Sequence, residues 1–389
     1  MSEEDQPRRR WSRPLLFAAG WVFTPEVLHL LGTPEAAFQP AVEYLRVIFL
    51  AVPVMNLFAF AMAVLRGAGD SRTPFRFMLV SVALDMALNP FLIRGVGPLP
   101  AMGIAGSATS TLVAQAISFA LLLALLHRRR HPLLPGPHEL DHYRPRPKLL
   151  RAIVVKGVPM GLQMIVVSSA ALAMMGIVNG YGVRTAAAYG VAAQLWTYVQ
   201  MPALAIGAAV SSMAAQNVGA GRWDRVHQVA RAGVLFNLAL TGSLVVLLYA
   251  ADRAALGLFL PGDTGAIAVA AHINNVAGWS FVLFGVTIVL FGVVRATGAV
   301  TPPLVILFVS LILVRLPFAR MLQDALGADA VWWSFPLGAV VSMALAMAYY
   351  RLGRWRNVPV PKEEPATGEA ADTGVATPAM DREPMYERD

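Results

Sequence analysis

Asp85 is the residue with the strongest claim to chemistry. It sits near the middle of the apolar run 73–94, far from either end. A carboxylate placed in a bilayer costs about 2.5–3.5 kcal/mol on insertion scales, so it needs a partner or a task. Ser81, Asp85 and Asn89 follow one another at i, i+4 and i+8 and therefore form a stripe on one helix face. Pro90 comes next, lacks an N–H and frees a backbone carbonyl nearby. On the following run Ser107, Thr111 and Gln115 also share a face, with Ser118 close to it. Two facing polar stripes around one acid could hold a proton or a small cation. Hard oxygen ligands suit Na⁺, and a desolvated carboxyl suits H⁺. A Na⁺ at Asp85 is the one metal the residues suggest.

Later runs carry amides and rings but no comparable acid. Gln163, Gln194 and Asn275, with Gln115 and Trp196, are candidates to line a small-molecule cleft. The competing role is helix-to-helix hydrogen bonding, worth under about 1 kcal/mol each. Trp196, Tyr198, Met201, Trp279 and Phe284 could present π faces or sulfur to flat cations. Trp332, Trp333, Trp355, Tyr349 and Tyr350 fall near run ends and are expected to anchor at the lipid–water interface. Arg315 is expected to snorkel outward. No His/Asp/Glu cluster or Ser–His pair falls at one depth, which argues against an enzyme.

These residues must be held by membrane helices. The chain has 389 residues, 57% hydrophobic and 14% charged, with mean hydropathy +0.59. A soluble domain is about 45–50% apolar and about 25% charged. There is no cysteine, so disulfide and thiolate-metal frameworks are excluded. The net charge of +8 does not form a nucleic-acid stripe, because the bases sit at the ends of apolar runs.

A helical span needs about 20 apolar residues. About ten candidates follow: 14–31, 39–66, 73–94, 101–127, 150–180, 185–216, 228–251, 265–294, 300–320 and 331–352. Ten spans put every basic cluster on one side of the membrane, from Arg8–Arg10 and Arg66/Arg72/Arg76 to Arg128–Arg130 and Arg351/Arg354/Arg356. The positive-inside rule makes that side cytoplasmic and places both termini there, in a cell inner membrane. The expected organisation is a cytoplasmic N-terminus (1–13), four spans (14–127), a basic cytoplasmic linker (128–149), six spans (150–352) and a disordered tail (353–389).

RGAGDSRTP at 66–74 returns as RATGAVTPP at 295–303. The same offset lays Leu31-Gly32-Thr33-Pro34 over Leu260-Pro261-Gly262-Asp263. Six spans separate the copies, an even number, so both would turn on the same membrane face as parallel repeats. The second half has two spans ahead of this connector that the first half lacks. The expectation is an all-α membrane protein of two lobes, four plus six helices, shortened from a twelve-helix plan.

YLRVIFLAVPVMNLFAFAMAVLRGAGDSRTP, LDMALNPFLIRGVGPLPAMGIAGSATSTLVAQ and AAAYGVAAQLWTYVQMPALAIGAAVSSMAAQNVGAGRWDRV resemble the multidrug and toxic compound extrusion (MATE) family. The resemblance runs from about residue 25 to 352. It implies twelve helices in two six-helix lobes, and export of organic, often cationic, compounds in exchange for Na⁺ or H⁺. One branch carries Asn-x-x-x-Asp on the helix of Asp85; here the order is reversed, Asp85-x-x-x-Asn89. Thr111 matches a family position near that acid. A monomer with no organic cofactor is expected. A non-transporting scaffold or remnant and a lipid-linked sugar flippase are the alternatives. The flippase would need several bases in its cleft, and the spans offer almost none.

Overall fold

The computed structural model describes residues 24–30, 35–95, 100–129 and 147–357. Its elements, in order, are helices α1 (Thr24–Leu30), α2 (Glu35–Gly67), α3 (Arg72–Arg94), α4 (Gly103–Arg128), α5 (Pro147–Asn179), α6 (Val183–Gly219), α7 (Trp223–Ala250), α8 (Asp252–Phe259), α9 (Thr264–Ala277) and α10 (Ser280–Ala296). They continue as α11 (Thr301–Met321), α12 (Gln323–Leu326) and α13 (Asp329–Leu352). Eight of the described helices are long and apolar enough to cross a membrane, or nine if α9 and α10 are one span bent by 49°. They coincide with the expected spans from 39–66 onward. The run 14–31 lies mostly outside the described residues, with Thr24–Leu30 helical. The outward surface is apolar: Leu172 and Met86 are each 73% exposed, which suits acyl chains and not water.

In the first group, α4 packs between α2 and α3, which scarcely touch each other. In the second, α10 is the central rod and packs on α6, α7 and α13. Lipid supplies no hydrophobic drive for helix pairing, so close packing must do it. At the α6–α10 crossing, a Cβ at Gly292 would lie 2.5 Å from the Gly207 carbonyl oxygen. Glycine at both positions lets the two backbones meet.

Three expectations change here. Trp332 is not an interface anchor; it is 2% exposed and stacks on Tyr189 at 5.9 Å between ring centroids. Trp355 is fully buried, donates its indole N–H to the Tyr350 carbonyl at 2.8 Å and stacks on the Tyr350 ring. The chain is therefore ordered through the short 3₁₀ turn Arg354–Asn357, beyond the expected boundary at 353. Both rings found partners in the helix group, which burial rewards more than the interface does. Arg315, the third, is taken up with the site below. Residues 1–23, 130–146 and 358–389, which hold the N-terminus, most of the linker and the rest of the tail, lie outside the described residues.

Within α11 the stretch Phe308–Arg315 takes the wider π-helical form. Pro317 follows it. A proline offers no N–H and crowds the carbonyl one turn back, and the wide turns absorb that misfit.

Gly292→Ala is expected to cost about 1–3 kcal/mol by overpacking. Thermal unfolding in detergent checks it, with a lower midpoint than wild type. Gly176→Ala is the control, since a Cβ there meets nothing within 4 Å, and its midpoint should hold or rise.

Candidate functional site: a clamped carboxylate between α3 and α4

Asp85 lies midway along α3, about 14 Å from its Arg94 end at 1.5 Å per residue. Its Oδ1 accepts a hydrogen bond from the Ser110 hydroxyl at 2.6 Å and a longer one from Thr111 at 3.3 Å. The Ser110 hydroxyl is also 2.9 Å from the Asp85 backbone carbonyl. Thr111 in turn reaches the Ser107 carbonyl at 3.3 Å, and the Asn89 amide donates to the Ser107 hydroxyl at 3.4 Å. The result is a ladder of hydroxyls on α4 facing an acid and an amide on α3. Both donors fall on Oδ1. Among the described residues no donor reaches Oδ2, the oxygen left for a proton or cation.

The ladder depends on how closely α3 and α4 approach. A Cβ at Gly106 would lie 2.5 Å from the Leu92 carbonyl oxygen. Only glycine permits that approach, one helical turn before Ser110. The Met102 N–H donates to the same Leu92 carbonyl at 3.1 Å and fastens the turn.

Sequence spacing placed Asp85, Asn89 and Thr111 together, and the geometry joins all three, with Asn89 joined through Ser107. Ser81 is buried on the same helix, but the hydrogen bonds to Asp85 come from Ser110 and Thr111. Ser110 is the residue that reading the sequence missed. It is fully buried and makes the shortest bond. The signal was present: Ser107, Ser110 and Thr111 stand at i, i+3 and i+4. Gln115 is half-buried and forms no hydrogen bond with the ladder. The buried Ser118 hydroxyl has no partner among the described residues.

The other candidates scatter. Gln163 is buried and accepts a hydrogen bond from Arg295 at 2.9 Å, so it works as a helix-to-helix tie. Gln194 and Asn275 are exposed and line neither cavity described here. Trp196 is buried, donates to the Asn274 side chain at 2.9 Å and lines a cavity of about 310 Å³ in the second group. Arg315 lines the same cavity and does not snorkel outward; its guanidinium carbon sits 3.5 Å from the centroid of the Phe335 ring.

A larger cavity, about 680 Å³, opens where the two groups meet. Arg66 and Gly67 line it from one connector, and Arg295, Thr297 and Gly298 from the other. Lys156 adds a third base. The spans looked almost free of basic residues in sequence; folding gathers these three around one cavity. The Ser212 hydroxyl donates to the Arg66 carbonyl at 2.9 Å across the groups.

A stack of apolar helices, a hydroxyl-clamped acid at mid-span and a cavity between two helix groups define a polytopic membrane transporter. A protein-family model described as MatE matches residues 14–91 and 159–321. The probable multidrug resistance protein YoeA of Bacillus subtilis is 36% identical over 339 residues, 87% of this chain and 73% of that protein. The probable multidrug resistance protein YpnP of the same species is 34% identical over 339 residues, 87% of this chain and 74% of that one. The solved outward-facing conformation of a multidrug resistance MATE family transporter superposes with a TM-score of 0.79 at 17% identity, covering 89% of this chain and 77% of that one. The chain belongs to the MatE family of multidrug efflux transporters and is a multi-pass membrane protein, not an enzyme.

Ser110→Ala leaves Asp85 with its longer hydroxyl bond only. The expected loss is about 1–3 kcal/mol, larger than for Thr111→Ala. A double-mutant cycle with Asp85→Asn, read by reversible unfolding in mixed micelles, should give a coupling above about 0.5 kcal/mol for Ser110. Additive losses would mean that the contact contributes nothing.

Proposed function

We propose that this protein exports amphipathic or cationic small molecules in exchange for Na⁺ or H⁺, with Asp85 as the residue that holds the coupling ion. The observation that carries this reading is the clamp on Asp85. Ser110 and Thr111 orient the carboxylate through Oδ1 and leave Oδ2 available. A charge-assisted hydrogen bond is worth about 1.5–3 kcal/mol. Two of them offset the insertion cost of the acid enough for it to cycle between ion-bound and ion-free states. Ser81 and Asn89 complete the polar face on α3. Cation exchange at this face is linked to rocking of the two helix groups about the cavity between them.

The same proposal takes 14–127 and 150–352 as two lobes related by a parallel repeat. The two connectors support it. Gly69 and Gly298 have φ of 93° and 88°. Each donates its N–H to the arginine three residues back, Gly69 to Arg66 at 3.1 Å and Gly298 to Arg295 at 2.8 Å. Residues of both connectors line one cavity, so both turn at the same end of the molecule. That end is the cytoplasmic one, because Arg66, Lys156 and Arg295 gather there. The termini then share it. Those three bases also give a lipid-linked sugar flippase more to work with than the sequence suggested, but family membership favours the exporter.

Ethidium efflux from proteoliposomes tests the reading. Wild type should accelerate efflux under an imposed Na⁺ or H⁺ gradient. Asp85→Asn should lower the gradient-dependent rate by at least about tenfold. Transport unchanged by that substitution would refute the role of Asp85, and no gradient dependence in wild type would favour a scaffold.

A further inference from the structure

The 310 Å³ cavity of the second group lies apart from Asp85, and its chemistry is of the opposite sign. It is walled by Tyr189, Trp196, Phe281, Phe284 and Phe335, with Arg315 as its one charged residue. Its volume is in the range of sites that hold small organic molecules, about 300–1,000 Å³. An arginine within a span is costly, and the usual remedy is a carboxylate partner. Arg315 has none. Among the described residues no acid lies within ion-pair distance of it. It is held instead against the Phe335 face, its guanidinium carbon 3.5 Å from the ring centroid, and shares the cavity lining with Tyr189. Its Nε is buried and without a hydrogen-bond partner. A guanidinium offers five N–H donors in a planar fork that matches carboxylate or phosphate oxygens, and this one has donors to spare.

The walls are fixed in advance. Trp196 is pinned by the Asn274 side-chain oxygen at 2.9 Å, and the Asn274 amide is held by Asp252 at 2.7 Å. Trp196 packs on Phe281 and Phe335, each at 4.9 Å between centroids. The π-helical stretch Phe308–Arg315 ends on the arginine itself, and such wide turns occur often at functional sites. Rigid ring faces and one cationic fork select a flat molecule bearing a negative charge.

We propose that this cavity is a binding site for planar aromatic anions, with Arg315 gripping the anionic group and the rings of Trp196, Phe281 and Phe335 enclosing the flat body. The site goes beyond ion coupling at Asp85 and does not depend on it. It gives the transporter a place for acidic or zwitterionic compounds besides cations.

Equilibrium dialysis of the purified, detergent-solubilised protein with radiolabelled 2-naphthoate and 2-naphthamide tests it, with no gradient applied. The two probes share a ring system and differ in charge. Wild type should bind naphthoate at least about tenfold more tightly than naphthamide. Arg315→Gln should erase that preference and leave naphthamide binding intact, while Arg315→Lys keeps part of it. Thr197→Trp fills the cavity from a lining position that is exposed, and it should block both probes. It reports on the site even if Arg315→Gln does not fold. Equal binding of the two probes by wild type, or naphthoate binding that survives Thr197→Trp, would overturn the proposal.

Discussion

The contact on which the rest depends is a bare one. At Gly106 the backbone of α4 comes so close to the Leu92 carbonyl that even a methyl group would not fit. Because the helices touch there, the next turn of α4 brings Ser110 within 2.6 Å of the Asp85 carboxylate. Without that approach the acid would stand in apolar surroundings with its charge uncompensated, at a cost of several kcal/mol. Packing between two backbones thus sets the electrostatics of one side chain. Small residues serve the second group in the same way at Gly207 and Gly292, where the contact positions the central helix α10.

The two groups use polarity differently. The first concentrates it at mid-span on the acid Asp85 and a row of hydroxyls. The second has acids in its spans only in the first turns of α7 and α13, Asp224 and Asp329, and keeps its inner polar groups as ties: Gln163 to Arg295, Trp196 to Asn274, Asn274 to Asp252. The one charge lining its 310 Å³ cavity is the cation Arg315. On the proposals above, an acid in one half and a base in the other would give the halves different tasks. The cavity between them is where a rocking motion would change access.

Much of this was legible in the chain. Span positions followed from runs of about 20 apolar residues, and nine of them match helices here, counting the bent pair as one. Asp85 and Thr111 stood out because polar residues at i, i+4 spacing in such runs share a face. Other features depend on which helix lies opposite, and spacing within one helix does not carry that. Ser110 was passed over for a stripe built strictly on fours, although α4 meets Asp85 on the seam between Ser110 and Thr111. Arg315 was expected to snorkel to the interface from within its span, and Trp332 and Trp355 were assigned there by their nearness to span ends. Each found aromatic partners from another element or a folded-back turn: Phe335, Tyr189 and Tyr350 respectively. Asn275 was chosen where its neighbour Asn274 is the buried one, a difference of 100° around the helix.

The central claim is that Asp85 holds the coupling ion and surrenders it when substrate binds. The direct measurement is cation release from purified protein in detergent, followed with ²²Na⁺ and with a pH electrode in unbuffered solution as ethidium is added. Wild type should release one of the two cations in proportion to the ethidium bound, and Asp85→Asn should release neither while still folding. Equal release from the Asp85→Asn protein would contradict the account, because the ion would then reside elsewhere.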